Sequence, residues 1–201
     1  MVIKLGSLSE RAKHTVILEI GPARGNNFEF YPSNCRIIAL DYNSYFEKYF
    51  RQNKSKFPNI LCEDFVNGMA EDMRQIEDNS VDVVVATYVL CSVKDRNKTL
   101  REIRRVLKKG GTIMKYLVQP MGVWSRFVYH DKHYVNDDVG KTMRKDPPTV
   151  TVAVTWSHIE RAGFHTLHLN YEYPNEMVFI ARAHIWGTAT THETDEFMNK
   201  D

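Results

Sequence analysis

Apolar positions along this chain change period in a regular way. Short runs that are apolar throughout, or that alternate apolar with polar, are separated by segments whose apolar residues recur every three or four positions. Val16–Ile20 and Arg36–Leu40 are runs of the first kind, and Ile60–Val66 and Thr112–Val118 follow them. Val81–Val89 (VDVVVATYV) is almost entirely apolar and β-branched, which predicts a central strand buried on both faces. Asn97–Leu107 sets Leu100, Ile103, Val106 and Leu107 on one helical stripe, and Gly110–Gly111 is expected to end that helix. Gly25–Phe30 opens a short helix stopped near Pro32, Ser44–Gln52 reads as a helix capped by Ser44, and Thr155–Ala162 as one closed by Gly163. His165–Tyr173 and His184–Thr190 alternate as strands joined by a hairpin-like connection. Strands separated by helices predict an α/β fold with a doubly wound, mostly parallel seven-stranded sheet, closed by an antiparallel edge strand.

Length and charge narrow the picture. The 201 residues suit a single domain, with a core over about 14–190 and a polar tail over 191–201. A net charge of +2 offers no nucleic-acid surface, and the basic run Arg101–Lys109 reads as the solvated face of a helix. Cys35, Cys62 and Cys91 form no C-x-x-C pair, which fits buried thiols in a reduced, cytoplasmic setting. No apolar stretch approaches the roughly 18 residues of a bilayer span. Met1–Lys13 has no sustained apolar core, so it is read as neither signal peptide nor anchor.

The chemistry concentrates in Val16–Asp41. A strand ends in Glu19, a turn carries Gly21, Ala23 and Gly25, and a second strand ends in Asp41. Glycines let backbone turn sharply and approach a ligand. An acid at the tip of the second strand can accept hydrogen bonds from both hydroxyls of a ribose. A dinucleotide site would prefer G-x-G-x-x-G, and an acid two residues before the first glycine is unwelcome beside pyrophosphate. It suits a cofactor with a cationic amino-acid end.

The form E/D-x-G-x-G-x-G is the usual first motif of class I methyltransferases, so the chain resembles that Rossmann-like superfamily, whose cofactor is S-adenosylmethionine (SAM). The segments GNNFEFYP (Gly25–Pro32), DYNSYFEKYF (Asp41–Phe50), AEDMRQIEDNSVDVVVATYVLCSV (Ala70–Val93) and LREIRRVLKKGG (Leu100–Gly111) resemble the methyltransferase-like protein 7 family, as do TWSHIERAGF (Thr155–Phe164) and HIWGTA (His184–Ala189). That resemblance implies a SAM-dependent enzyme acting on small alkyl thiols. It implies that Gly21, Ala23 and Gly25 line the methionine end of SAM beside Glu19. Asp41 would hold the ribose, Tyr42 would lie against adenine, and Glu71 with Asp72 would meet the adenine edge. Thr87, Tyr88 and Val89 fall at the end of the fourth strand, where open α/β sheets bind ligands. Tyr88 there is either a site residue or a core aromatic, and Glu71 and Asp72 either meet the cofactor or cap the next helix.

The chain also departs from the family pattern. It begins about fifteen residues before the first strand, where family members carry a membrane-anchoring helix and a lid. The glycine turn reads GPARG, which is expected to put Pro22 and bulky Arg24 at the methionine end, and Tyr116 and Leu117 stand where the family has an acid and a histidine. Tyr88, His184 and His130 are candidates for the group that takes a proton from the acceptor. Tyr88, Val89, Leu90, Leu117, Val118, Met121 and Trp124 would form an apolar wall with no cationic clamp for a carboxylate or phosphate. Trp124, Phe127 and Tyr129 beside Arg126 suit either such a wall or a peripheral membrane contact. His130 and His133 have no visible third ligand, so no metal site is expected. Two readings follow. One is a SAM-dependent methyltransferase for a small, mostly apolar acceptor, with a thiol expected. The other is a weak or inactive domain that binds SAM or a partner without turnover.

Overall fold

The computed structural model describes residues 15–90, 92–116, 157–172 and 184–191. Seven strands form one sheet: β1 (Val16–Ile20), β2 (Arg36–Asp41), β3 (Leu61–Asn67), β4 (Val81–Thr87), β5 (Leu107–Tyr116), β6 (Thr166–Glu172) and β7 (His184–Thr190). Their spatial order is β3-β2-β1-β4-β5-β7-β6. The first five run parallel, and β7 enters antiparallel between β5 and β6. The antiparallel strand therefore sits one place in from that edge, with β6 outermost.

Strand alternation divides the core between the two faces. Val84 and Ala86 of β4 and Leu18 and Ile20 of β1 face Leu100, Ile103 and Val106 of helix α2 (Arg96–Val106). Val83 and Val85, with Ile17, face Phe28 and Phe50, the latter on helix α1 (Phe46–Lys54). Buried apolar surface on both faces is what makes β4 a continuous hydrophobic run, as its sequence predicts.

Four local expectations fail for identifiable reasons. Gly25–Phe30 forms a string of turns and a single 3-10 turn, Phe28–Phe30, because Gly25 at φ +74° stands outside helical backbone. Ser44 does not cap α1; the Asn43 side chain accepts from the Tyr45 N–H at 3.0 Å instead. Gly110–Gly111 do not terminate α2. That helix ends at Val106, and β5 starts at once with Leu107. The glycines lie in an irregularity of β5, where Val81 pairs with Leu107 but Val83 with Thr112, and Gly110 has φ +71°. Finally, the basic run is only partly solvated. Arg105 donates to the carbonyls of Met73 (2.8 Å) and Ile76 (3.0 Å) and pairs with Glu102 and Asp78. Arg104 donates to the Ala162 carbonyl at 3.1 Å, next to Gly163 at φ +75° closing the helical residues 157–161. Among the described residues no helix is long and apolar enough to cross a membrane.

Candidate cofactor and methyl-transfer site

The parallel strands β1, β2, β3 and β4 all end on one side of the sheet, and the functional candidates gather there. Leaving β1, the chain turns at Gly21, whose N–H donates to the Leu40 carbonyl at 2.8 Å. Gly21, Ala23 and Gly25 have φ of +66°, +48° and +74°. A Cβ at Gly21 would stand 2.5 Å from a methyl of Val89, and one at Gly25 would stand 2.2 Å from the Phe28 ring. Both glycines are therefore required by close approach as well as by backbone conformation.

Asp41, 4% exposed, ties this turn to β2. Its carboxylate accepts from the Ala23 N–H at 3.2 Å and from the Asn43 N–H at 2.9 Å. Burial raises its pKa above the ordinary aspartate value, and these two amides oppose the rise. Asn67, at the tip of β3, donates to the carbonyls of Asp41 (3.0 Å) and Tyr42 (2.9 Å), which fixes the backbone beneath the Tyr42 ring. Tyr42 itself is 47% exposed.

Glu19 is 2% exposed. Asn27 donates to its Oε1 at 2.7 Å and to Thr87 Oγ1 at 3.2 Å, so one amide joins the ends of β1 and β4. Glu19 Oε2 is buried and has no hydrogen-bond partner. Burial pushes the Glu19 carboxyl up to about 7, with nearby Asp41 adding to the rise, while Tyr31 and Asn27 oppose it. A buried carboxylate with a free oxygen, beside a turn whose Gly21 and Gly25 admit no side chain, fits the cationic amino-acid end of SAM, and Asp41 fits its ribose.

The other candidates are less convergent. Tyr88 follows β4 with φ +56° and is 37% exposed, so it is not a core aromatic. A non-glycine residue held there is strained, a feature that gathers at functional sites. Glu71 accepts from the N–H groups of Lys94 (2.6 Å) and Asp95 (3.3 Å), and Asp72 pairs with Arg74, so both acids have protein partners. Leu90 is 1% exposed and packs within the core. His184 opens β7 and pairs in register with Glu172 of β6. The antiparallel register puts it at the ligand-binding end of the sheet, two strands away from β4. Arg24 does not crowd the methionine end: it is exposed, with its guanidinium 5.3 Å from the centre of the Tyr49 ring. Cys91, Leu117, Val118, Met121, Trp124, Arg126, Phe127, Tyr129, His130 and His133 lie outside the described residues. The sequence reading missed Asn27, Tyr31 and Asn67. The segment NNFEFYP held the signal for the first two, as polar residues immediately after the glycine turn.

Known proteins agree with this layout. A family profile described as a methyltransferase domain matches residues 18–114. Human thiol S-methyltransferase TMT1B is 34% identical over 92% of this chain and 75% of its own length. Human thiol S-methyltransferase TMT1A is 35% identical over 86% of this chain and 69% of its own. In fold, a putative S-adenosyl-L-methionine-dependent methyltransferase from Methanococcus maripaludis superposes with a TM-score of 0.58 over 94% of this chain and 84% of the other, at 17% identity. Identity over almost the whole chain, on a fold whose strand ends carry Glu19, the glycine turn and Asp41, settles the assignment: the chain belongs to the thiol S-methyltransferase family and is a SAM-dependent methyltransferase.

Proposed function

We propose that this protein transfers the methyl group of SAM to the sulfur of a small, mostly apolar thiol. Glu19 is the observation that carries the reading: a buried carboxylate with one oxygen unpartnered, at the tip of β1. The relatives named thiol S-methyltransferases support a sulfur acceptor. A net charge of +2 supports a small molecule over a nucleic acid.

When bound, SAM supplies a methyl already made electrophilic by its sulfonium. The chain's residues bind, orient and exclude water. Glu19 receives the ammonium end, Asp41 the ribose hydroxyls and Tyr42 the adenine face. Gly21, Ala23 and Gly25 leave room for the ligand, and Thr87 steadies Asn27. Glu71 and Asp72 act one step back, Glu71 by holding the backbone at Lys94 and Asp95. A free thiol titrates near pH 8.5, so the acceptor needs a group that favours its thiolate rather than a dedicated triad. Tyr88 and His184 are proposed for that role, which the placement of their backbones at the ligand end supports.

Incubation with SAM and a small thiol tests the proposal. Thioether and S-adenosylhomocysteine should appear in equal amounts by mass spectrometry. Absence of thioether across aliphatic and aromatic thiols would overturn it.

A further inference from the structure

Asn27 stands at the N-cap of the 3-10 turn, with φ −93° and ψ −3°, yet its side chain makes no cap hydrogen bond there. An asparagine at that position ordinarily accepts from a backbone N–H two or three residues on. Asn27 sends its amide away from its own turn instead. Its Nδ2 donates to Glu19 Oε1 at 2.7 Å and to Thr87 Oγ1 at 3.2 Å, 8 and 60 residues away in sequence. Those two bonds use both hydrogens of the amide. The bond to Glu19 is the shorter, as a carboxylate acceptor makes it. It engages one carboxylate oxygen and leaves Oε2, buried, without a partner. Asn27 is also neutral. A lysine or arginine in its place would orient the carboxylate but cancel the charge that attracts an ammonium group.

We propose that Asn27 is a positioning residue for the amino-acid end of SAM: anchored on Thr87, its amide fixes Oε1 of Glu19 and so presents Oε2 to the ammonium group. This rests on the reading that Glu19 receives that group. The anchor matters as well as the contact. Without Thr87 the second amide hydrogen loses its acceptor, and the side chain can turn back toward the backbone of its own turn. With it, the amide is pinned between the ends of β1 and β4, neighbouring strands that pair Glu19 with Val85 and Ile20 with Ala86. A carboxylate oriented in the free protein loses less freedom when the ligand arrives, which is the gain from preorganisation. The adenosine half of SAM is assigned to Asp41 and Tyr42. Asn27 therefore serves one end of the cofactor only.

The test is calorimetric affinity for two ligands that share adenosine and a neutral sulfur. S-adenosylhomocysteine has the amino-acid end, and methylthioadenosine lacks it. Asn27→Leu keeps much of the side chain's shape and removes its donors. It should lower affinity for S-adenosylhomocysteine about tenfold and for methylthioadenosine by less than about twofold. Thr87→Val removes only the anchor. It should lower the first affinity about threefold, again with less than about twofold on the second, and it carries the test alone if Asn27→Leu fails to fold. A merely structural Asn27 would lower both affinities by the same factor, or neither, and either result would overturn the proposal. Glu19→Gln checks the reading beneath it and should also weaken S-adenosylhomocysteine selectively. Equal loss on both ligands in Glu19→Gln would show that the ammonium group is received elsewhere, a failure distinct from that of Asn27. Selective loss in Glu19→Gln without selective loss in Asn27→Leu would leave the ammonium site standing and overturn the positioning role.

Discussion

The carboxylate of Asp41 accepts the backbone N–H of Ala23 at 3.2 Å, so the acid at the tip of β2 holds the turn that follows β1. One side chain thus braces the turn, and in the site proposed above it also receives the ribose. Asp41→Ala should lose SAM binding. It should also lower stability by about 1–3 kcal/mol, because two amides lose their acceptor. Urea unfolding and a binding titration on the same sample read both effects. Loss of binding at unchanged stability would show that the brace contributes nothing.

Gly25→Ala should be more damaging than Gly21→Ala. The added methyl at position 25 would meet a ring that packs on Phe50 and Phe57 at centroid distances of 4.9 Å and 5.5 Å, whereas at position 21 it meets the tip of Val89. Strain at positive φ and overpacking together should cost about 3 kcal/mol at Gly25. Thermal melting of the ligand-free variants ranks the two.

Glu19 sets a pH dependence whose sign can be worked out. Burial holds its carboxyl at about 7, against 4.5 in the unfolded chain. The fold therefore favours the protonated form. No penalty exists below the unfolded value. As pH rises from 4.5 to 7 the unfolded chain gives up its proton first, and about 3 kcal/mol of stability is lost. Glu19→Gln, neutral throughout, should match wild type at pH 4 and exceed it by about that amount at pH 8 without ligand. Denaturant titrations at the two pH values check it, and equal stability at pH 8 would contradict the burial of an ionised group.

Arg105 joins α2 to the segment before β4 by donating to Met73, Ile76 and Asp78, and it also pairs with Glu102 on its own helix. Arg105→Ala should cost about 2–3 kcal/mol, and lysine should not rescue it, since a single ammonium cannot reproduce the planar fork. Arg101→Ala, on the exposed side of α2, should stay within about 0.5 kcal/mol of wild type. Urea unfolding of the three variants beside wild type checks the order.

Sheet and glycine turn were legible because their causes are local. β1, β2 and β4 announce themselves as apolar runs, and Glu19, Gly21, Gly25 and Asp41 keep a fixed spacing around one turn. What escaped depended on partners distant in sequence. Arg105 looks like any solvated arginine until Met73 and Ile76 come beside it. Asn67 becomes meaningful only when β3 lies against β2 and brings it under Asp41 and Tyr42. Arg24 reads as an obstruction in the glycine turn, but positive φ on both sides of it turns its side chain toward Tyr49. Gly110 reads as a helix stop by composition, yet serves a strand irregularity.

The central claim, methyl transfer to a thiol, is tested most directly by incubating the protein with methyl-labelled SAM and a panel of thiols, phenols, amines and carboxylic acids. Label should appear on the small apolar thiols and disappear with Asp41→Ala. Label on an amine, phenol or carboxylic acid but on no thiol, or bound SAM with label on nothing, would contradict it.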